Sequence, residues 1–183
     1  MYALQPLGYH PKESNWQDYH HFTSASLPGS VRRWLLDSGS LTQRLIKYSG
    51  GQFKVQVLTQ QWQRPRLSEA TLLGMQTREM AIIREVALLC AGEPLVFARS
   101  VMPASSLVGR LRRLRKFNDS SLGEMLFRDP SMRRHPFQIA SIAGDHSQLP
   151  ADLQQSGKLW GRRCRFELAA RPIMVSEIFL HNF

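Results

Sequence analysis

The chain has 183 residues, 43% of them hydrophobic and 9% aromatic, which suits one domain with a buried core and excludes a disordered or fibrous protein. Lysine and arginine number 24 against 14 aspartates and glutamates, so the formal net charge is +10. Such a charge attracts nucleic acid, a small dianion or an anionic membrane surface, and it does not choose among them.

Cysteine usage and hydropathy exclude several further classes. Cys90 and Cys164 belong to no CxxC pair and no cluster with metal spacing, which favours a reducing compartment. The N-terminus lacks the charged start and apolar stretch of a signal peptide. The most apolar window, residues 80–91, is short and carries two charges, which argues against a membrane span. We therefore predict a soluble, cytoplasmic protein.

The first half of the chain contains the clearest helix signals. Residues 1–27 have no periodicity and are predicted to form a mobile extension before a domain at 28–183. Pro28 suits the first turn of a helix that breaks at 37–39. Ser40 can cap a second helix, which the pair Gly50-Gly51 ends.

Strand signals dominate the rest. Apolar and polar residues alternate from Phe53, residues 60–77 are less regular, and two apolar runs at 80–90 and 95–102 are joined by a Gly-Pro turn typical of an antiparallel hairpin. Helical pieces are expected over 104–127, with Ser120 or Ser121 as a cap. Strands are expected near 132–142, 159–169 and 173–180.

This order of elements predicts an α+β fold with a single antiparallel sheet and helices packed on it. A parallel sheet would need crossover helices between most strands, and the connections are too short for them.

Two charges interrupt otherwise apolar rows. If the strands are regular, Arg84 is the single charge in the row 82, 84, 86, 88, 90, and Glu177 is the single charge in the row 173, 175, 177, 179. Burial of a charge is costly unless it is paired or faces a ligand. A structural explanation, either a buried Arg84–Glu177 salt bridge or a bulge that turns one of the two outward, and a ligand site are equally consistent with the pattern.

Other segments give weaker signals. Asp145 and His146 stand in a loop without a nucleophile motif, and GKLWG at 157–161 matches neither a phosphate loop nor a dinucleotide fingerprint. The arginines at 162, 163 and 165 and the basic run 110–116 could meet phosphates, but no RNA-binding aromatic motif accompanies them.

Five segments in series resemble a known family. They are WLLDSGSLTQR (34–44), REVALLCAGEP (84–94), SLGEMLF (121–127), LWGRRCR (159–165) and RPIMVSEIFL (171–180). In order and approximate spacing they are similar to bacterial chorismate pyruvate-lyases over about residues 28–180.

The resemblance implies a fold and a set of site residues. The family has a single antiparallel sheet with helical flaps over a buried ligand pocket, which agrees with the predicted architecture. By motif match, Arg84 would hold the ring carboxylate and Glu177 would hydrogen-bond the ring hydroxyl. Leu41 and Leu122 fall at the two flap positions whose backbone meets the ligand. The first of these is often methionine in the family.

The resemblance also implies an activity. The enzyme would be a carbon–oxygen lyase that converts chorismate to 4-hydroxybenzoate and pyruvate, the first step of ubiquinone head-group synthesis, without metal or cofactor. Arg84 offers a planar fork for a carboxylate, and Glu177 in an apolar pocket could resist ionisation and donate a proton. Arg99 is our guess for the second substrate carboxylate, with a structural role as an equal alternative. Flaps that close the pocket predict slow release of 4-hydroxybenzoate and product inhibition.

Two other functions remain open at this point. The ligand-binding domains of GntR-type transcription regulators share a similar fold and a similar arginine-to-GEP pattern, but residues 1–27 are too few for their winged-helix domain. A nucleic-acid-binding protein would show salt-dependent affinity. We expect the small molecule rather than nucleic acid as partner, and no membrane insertion. A monomer fits the sequence, which does not fix the oligomeric state.

Overall fold

The fold is a single curved sheet with helices on both faces, seen in a computed structural model that describes residues 13–117 and 120–180. The sheet has eight strands, and every pairing in it is antiparallel. This confirms the predicted α+β class.

Helices and strands are interspersed along the chain. In the described residues the α-helices are α1 (Gly29–Leu35), α2 (Leu41–Tyr48), α3 (Leu67–Leu73) and α4 (Leu122–Arg128), and a 3-10 segment spans Gly109–Lys116. The strands are β1 (Gln17–Asp18), β2 (Phe53–Gln63), β3 (Ala81–Cys90), β4 (Glu93–Pro103), β5 (Arg133–Arg134), β6 (Gln138–Ala143), β7 (Lys158–Leu168) and β8 (Arg171–Phe179).

The sheet is built from two groups of neighbouring strands. Its order is β1-β6-β7-β8-β4-β3-β2, with β5 paired to β7 beside β6. Strands β2 to β4 follow one another along the chain, and so do β6 to β8, so each group is a meander. Only the pairing of β4 with β8 joins the two groups, and it spans Val96↔Phe179 to Val101↔Met174.

The two faces of the sheet have different covers. One face packs against α1, α2, the 3-10 segment and α4 through apolar clusters that include Leu35, Leu45 and Leu114. We call this the cleft face. The opposite face packs against α3 and residues around 149–153, with Ile83, Phe97 and Ile178 in its core.

The described part of the predicted N-terminal extension lies against the sheet. Gln17 pairs with Ile139, the Tyr19 N–H donates to the Phe137 carbonyl at 3.2 Å, and Leu27 is buried. Residues 1–12 fall outside the described residues, so the predicted mobility of that part stays a prediction.

Local signals predicted several elements correctly. Ser40 caps α2 and Ser121 caps α4, each accepting a hydrogen bond from the backbone N–H three residues on. The β3–β4 hairpin turns at Ala91-Gly92, where both residues have positive φ. Helix α3 lies in the stretch considered less regular, and β2 runs through to Gln63 with a bulge between Val57 and Thr59.

Candidate active site

A closed cleft lies between the cleft face of the sheet and the starts of α2 and α4. Its lining combines sheet residues with helix-start residues, namely Gly39, Leu41, Thr42, Gly123, Leu126, Phe127, Arg134, Arg162, Cys164, Phe166, Val175 and Glu177. The free volume inside is about 20 Å³, room for about one water molecule. A larger ligand can therefore enter only if the helix starts move.

The two helix starts touch each other above the cleft. The Thr42 and Ser121 hydroxyl oxygens are 2.6 Å apart, a hydrogen bond between the first turn of α2 and the cap of α4. A Cβ at position 123 would lie 3.2 Å from the Thr42 hydroxyl oxygen, so glycine permits this close approach. We call the segments 39–42 and 121–123 the two flaps.

Leu41 and Leu122, the predicted flap residues, occupy equivalent places. Each is the first residue of its helix, directly after the capping serine, and each is buried. The first backbone N–H groups of a helix have no partner within it. Leu41 lines the cleft, as does Gly123 next to Leu122.

Arg84 lies on the cleft face, as the strand parity predicted. Arg84 is 2% exposed, and its Nη2 donates to the Ser120 carbonyl at 3.0 Å. Its guanidinium carbon is 5.4 Å from the centre of the Phe117 ring. Across the sheet its row continues through Ser100 to Val175, which lines the closed cleft.

Glu177 is also on the cleft face, and its ion-pair partner is Arg162. Arg162 Nε lies 2.6 Å from the Glu177 carboxylate, and the Arg162 side chain is 2% exposed. Its Nη1 donates to the carbonyls of Trp34 and Asp37 at 2.8 and 2.6 Å, just before the first flap. The Glu177 side chain is thereby held between Arg162 and the cleft, which it lines.

Arg134 is a second arginine of the cleft. It lies on β5, and its Nη1 donates to the Ser38 carbonyl at 2.6 Å. The rings of Phe127, Phe137 and Phe166 lie 5.6–6.0 Å from its guanidinium carbon. Its Nε is buried and, within the described ranges, has no hydrogen-bond partner.

The guess for Arg99 is corrected by the structure. Arg99 pairs across the strands with Glu85, so it points to the face opposite to Arg84. Its Nε and Nη1 lie 2.8 and 2.7 Å from carboxylate oxygens of Glu69 and Glu85. Burial alone would raise the pKa of Glu69, but Arg99 outweighs it and holds that pKa below its usual value. Arg99 therefore serves this buried cluster and cannot reach the cleft.

Arg163, the next residue of β7, is not a surface phosphate ligand either. Arg163 is buried on the face opposite to Arg162, where it donates to Gln138 and to the Ser68 hydroxyl at 2.7 and 2.8 Å. Burial lowers its pKa to about 10. Both consecutive arginines thus stabilise the interior.

Sequence reasoning missed Arg134, Arg162 and the Thr42–Ser121 contact. The parity rule could have found Arg162, the single charge between Trp160 and Cys164 in its row. Strand β5 has only two residues, so it gave no period that could place Arg134.

Two surveys of the described residues complete the description. No group of three or more histidine, cysteine, aspartate or glutamate side chains is placed to hold a metal ion there. Within the same part of the chain, no helix is long and apolar enough to cross a membrane.

Fold and cleft together define a single-sheet α+β protein with a small, arginine-rich cleft under two helix starts. The sequence model of the family described as chorismate lyase matches residues 10–183. The chain belongs to the chorismate lyase family.

Similar proteins support the family and the fold. A probable chorismate pyruvate-lyase of Methylococcus capsulatus is 41% identical over 82% of this chain and 94% of its own length. One from Pseudomonas aeruginosa is 37% identical over 93% of both chains.

Among solved structures, the effector domain of PhnF from Mycobacterium smegmatis has a TM-score of 0.59 at 15% identity, covering 80% of this chain and 91% of that one. A putative GntR-family ligand-binding domain from Bordetella bronchiseptica has a TM-score of 0.54 at 15% identity, covering 72% of this chain and 86% of that one. At this level of identity the likeness concerns the fold alone.

Proposed function

We propose that this protein is a chorismate pyruvate-lyase that releases 4-hydroxybenzoate and pyruvate. The observation that carries the proposal is that Arg84 and Glu177 lie on one sheet face, where Glu177 lines a cleft under two flaps and Arg84 shares a row with the lining residue Val175. Membership of the chorismate lyase family and the names of the relatives support it.

The positions of the two residues fit the two ends of the substrate ring. Arg84 is on β3 and Glu177 is on β8, two strands away in the sheet, so their backbones are about 10 Å apart in the direction across the strands. Along β8, Glu177 is two residues from Val175, which lies in the Arg84 row. The ring carboxylate and the ring hydroxyl of chorismate are para to each other. A bidentate pair with Arg84 and a hydrogen bond to Glu177 would hold the ring between them.

The reaction needs orientation more than chemical assistance. The ring loses a proton from the hydroxyl-bearing carbon, and the bond from the neighbouring carbon to the ether oxygen breaks. The ring becomes aromatic, and the released enolpyruvyl group takes a proton on its terminal methylene to give pyruvate. No electron leaves or enters, so binding in a reactive conformation supplies most of what the enzyme must provide.

Glu177 has the role of an acceptor in this scheme. A Glu177 side-chain oxygen would accept a hydrogen bond from the ring hydroxyl, and Arg162 Nε, 2.6 Å from the carboxylate, would hold that side chain in place.

The flaps determine access. The free volume of about 20 Å³ in the closed cleft is too small for an aromatic acid, so the Thr42–Ser121 hydrogen bond must open for entry and exit. Backbone groups at Leu41 and Leu122 would then close on the ligand. Slow release and inhibition by 4-hydroxybenzoate follow from the same geometry.

The biological setting is part of the proposal as well. The reaction would open ubiquinone head-group synthesis in the cytoplasm, where the thiols of Cys90 and Cys164 stay reduced.

The test is direct turnover. Purified protein is mixed with chorismate in the presence of EDTA, and 4-hydroxybenzoate and pyruvate are measured together. We expect equimolar products from the wild type and a rate lowered roughly 100-fold in Glu177→Gln, which keeps the shape but weakens the acceptor.

The result that would overturn the proposal is binding of 4-hydroxybenzoate without any turnover of chorismate. That outcome would favour a sensor function like that of the GntR-family domains, whose fold this chain shares.

A further inference from the structure

The proposed substrate carries two carboxylates, and Arg84 accounts for one. The cleft lining contains two arginines, Arg134 and Arg162. Arg162 already binds Glu177 through Nε and three backbone carbonyls through Nη1. Arg99 is held by Glu69 and Glu85 on the other face.

Arg134 differs from Arg162 in what its guanidinium contacts. It donates Nη1 to a single carbonyl, that of Ser38, and its buried Nε lacks a hydrogen-bond partner among the described residues. A buried donor of this kind is rare in folded proteins and is satisfied when a ligand supplies the acceptor. A carboxylate suits the fork of a guanidinium.

The surroundings of Arg134 hold it ready for such a ligand. Three phenylalanine rings surround its guanidinium within 5.6–6.0 Å, which restricts its rotamers and reduces its hydration. A pre-ordered arginine loses less freedom when it binds an anion.

We propose that Arg134 binds the enolpyruvyl carboxylate of the substrate. The inference rests on the proposed function, because it assumes that Glu177 binds the ring hydroxyl. The enolpyruvyl ether is attached to the carbon next to the hydroxyl-bearing one, so its carboxylate lies on the Glu177 side of the ring.

The strand order agrees with this placement. The Arg84 row continues through Val175 on β8 to Cys164 on β7, and Phe166, two residues further along β7, is the pairing partner of Arg134. Counted across the strands, Arg134 on β5 therefore lies beyond Glu177 on β8 as seen from Arg84 on β3. Counted along the strands, the Arg84 row lies between the rows of Arg134 and Glu177. Arg84 and Arg134 would hold the two carboxylates of one substrate molecule at opposite ends.

The discriminating experiment compares substrate with product, because 4-hydroxybenzoate keeps the ring carboxylate and hydroxyl but lacks the enolpyruvyl carboxylate. In Arg134→Gln we expect kcat/KM for chorismate to fall about 100-fold. The Kd of 4-hydroxybenzoate should stay within about threefold of the wild-type value. Arg134→Lys keeps the charge, so its kcat/KM should be about tenfold higher than that of Arg134→Gln.

The matched control is Arg133→Gln. Arg133 is the neighbouring residue of the same strand and is exposed. Its replacement removes the same charge at a position that does not face the cleft. It should leave kcat/KM within about twofold, which separates local binding from general attraction of the dianion.

Two outcomes would overturn the inference. One is an equal loss of chorismate turnover and 4-hydroxybenzoate affinity in both the Gln and Lys variants, the result expected of a purely structural arginine. The other is unchanged kcat/KM in Arg134→Gln. A wild-type protein that does not turn over chorismate would instead contradict the proposed function, so the two failures are distinguishable.

Discussion

The two faces of the sheet each bury an arginine of the same hairpin, and their settings differ. Arg99 is 6% exposed and lies under α3 between two carboxylates, which bind it through three of its hydrogen bonds. Arg84 is 2% exposed and lies on the cleft face under the second flap, where it donates to the Ser120 carbonyl. A buried charge between fixed counter-charges belongs to the fold, whereas a buried charge without such counter-charges near a cleft is a candidate for ligand binding, the role we propose for Arg84.

The largest effect should come from Arg84→Met. We expect kcat/KM for chorismate to fall about 1000-fold, which corresponds to roughly 4 kcal/mol of lost binding in the transition state. Stability should change by less than about 1 kcal/mol, since methionine fits the apolar row around position 84. Turnover assays and urea unfolding of the same preparation measure both quantities.

This prediction would be contradicted by a variant that is strongly destabilised but retains its affinity for 4-hydroxybenzoate. Arg84 would then be structural like Arg99, and the contrast between the faces would disappear.

Glu69→Gln should show the reverse pattern. It removes one charge from a buried pair and should lower the free energy of unfolding by about 3 kcal/mol, because Arg99 keeps only Glu85 as an anionic partner. The turnover rate at a temperature well below the melting transition should stay unchanged. Glu85→Gln is the matched control, with a smaller expected loss because the Glu85 side chain is 18% exposed.

The pH dependence of stability tests whether the ion pair with Arg99 explains the loss in Glu69→Gln. The pKa of Glu69 in the folded protein lies below its usual value of 4.5. The contribution of Glu69 to the free energy of unfolding is therefore complete above pH 4.5. It is lost as the pH falls through the lower pKa that Glu69 has in the folded protein. The stability difference between wild type and Glu69→Gln should shrink as the pH drops below 4.5. A difference that grows on acidification would refute the ion-pair explanation.

The smallest effect is expected at the contact between the flaps. Thr42→Val keeps the shape of the side chain and removes its hydrogen bond to Ser121, which contributes about 1 kcal/mol to the closed state. The inhibition constant of 4-hydroxybenzoate should rise about fivefold, measured from initial rates with added product. Thr71→Val is the control, since Thr71 is exposed on α3 and its hydroxyl bonds only within that helix. An unchanged inhibition constant in Thr42→Val would show that the flaps open without breaking this bond.

Short-range patterns predicted much of the fold, and tertiary contacts explain the rest. The hairpin of β3 and β4 and the caps at Ser40 and Ser121 have local signals that the structure confirms. Helix α3 was missed because its seven residues are held by long-range contacts, above all the Glu69–Arg99 pair.

For the candidate site, too, local patterns predicted some features and tertiary contacts determine the others. Parity correctly placed Arg84 and Glu177 each in the apolar row of its own strand, strand pairing puts both rows on one face of the sheet, and their ligand roles stay predictions. It could not show that Arg162 pairs with Glu177, or that Arg99 has two carboxylates around it, because both facts depend on which residues of other elements lie opposite. A charge in an apolar row reveals burial; its counter-ions appear only in three dimensions.

The pairing of β4 with β8, which joins the two meanders and which we call the seam, has a consequence for folding. Each meander can form from contacts between neighbours in the chain, whereas the seam joins positions as far apart as Val96 and Phe179. Closing such a long loop costs more entropy than closing a hairpin, so the seam is expected to form late. Arg84 comes from one meander and Glu177 from the other. A nascent chain therefore has no complete cleft until its last strand has docked, and the site exists only in molecules that have finished folding.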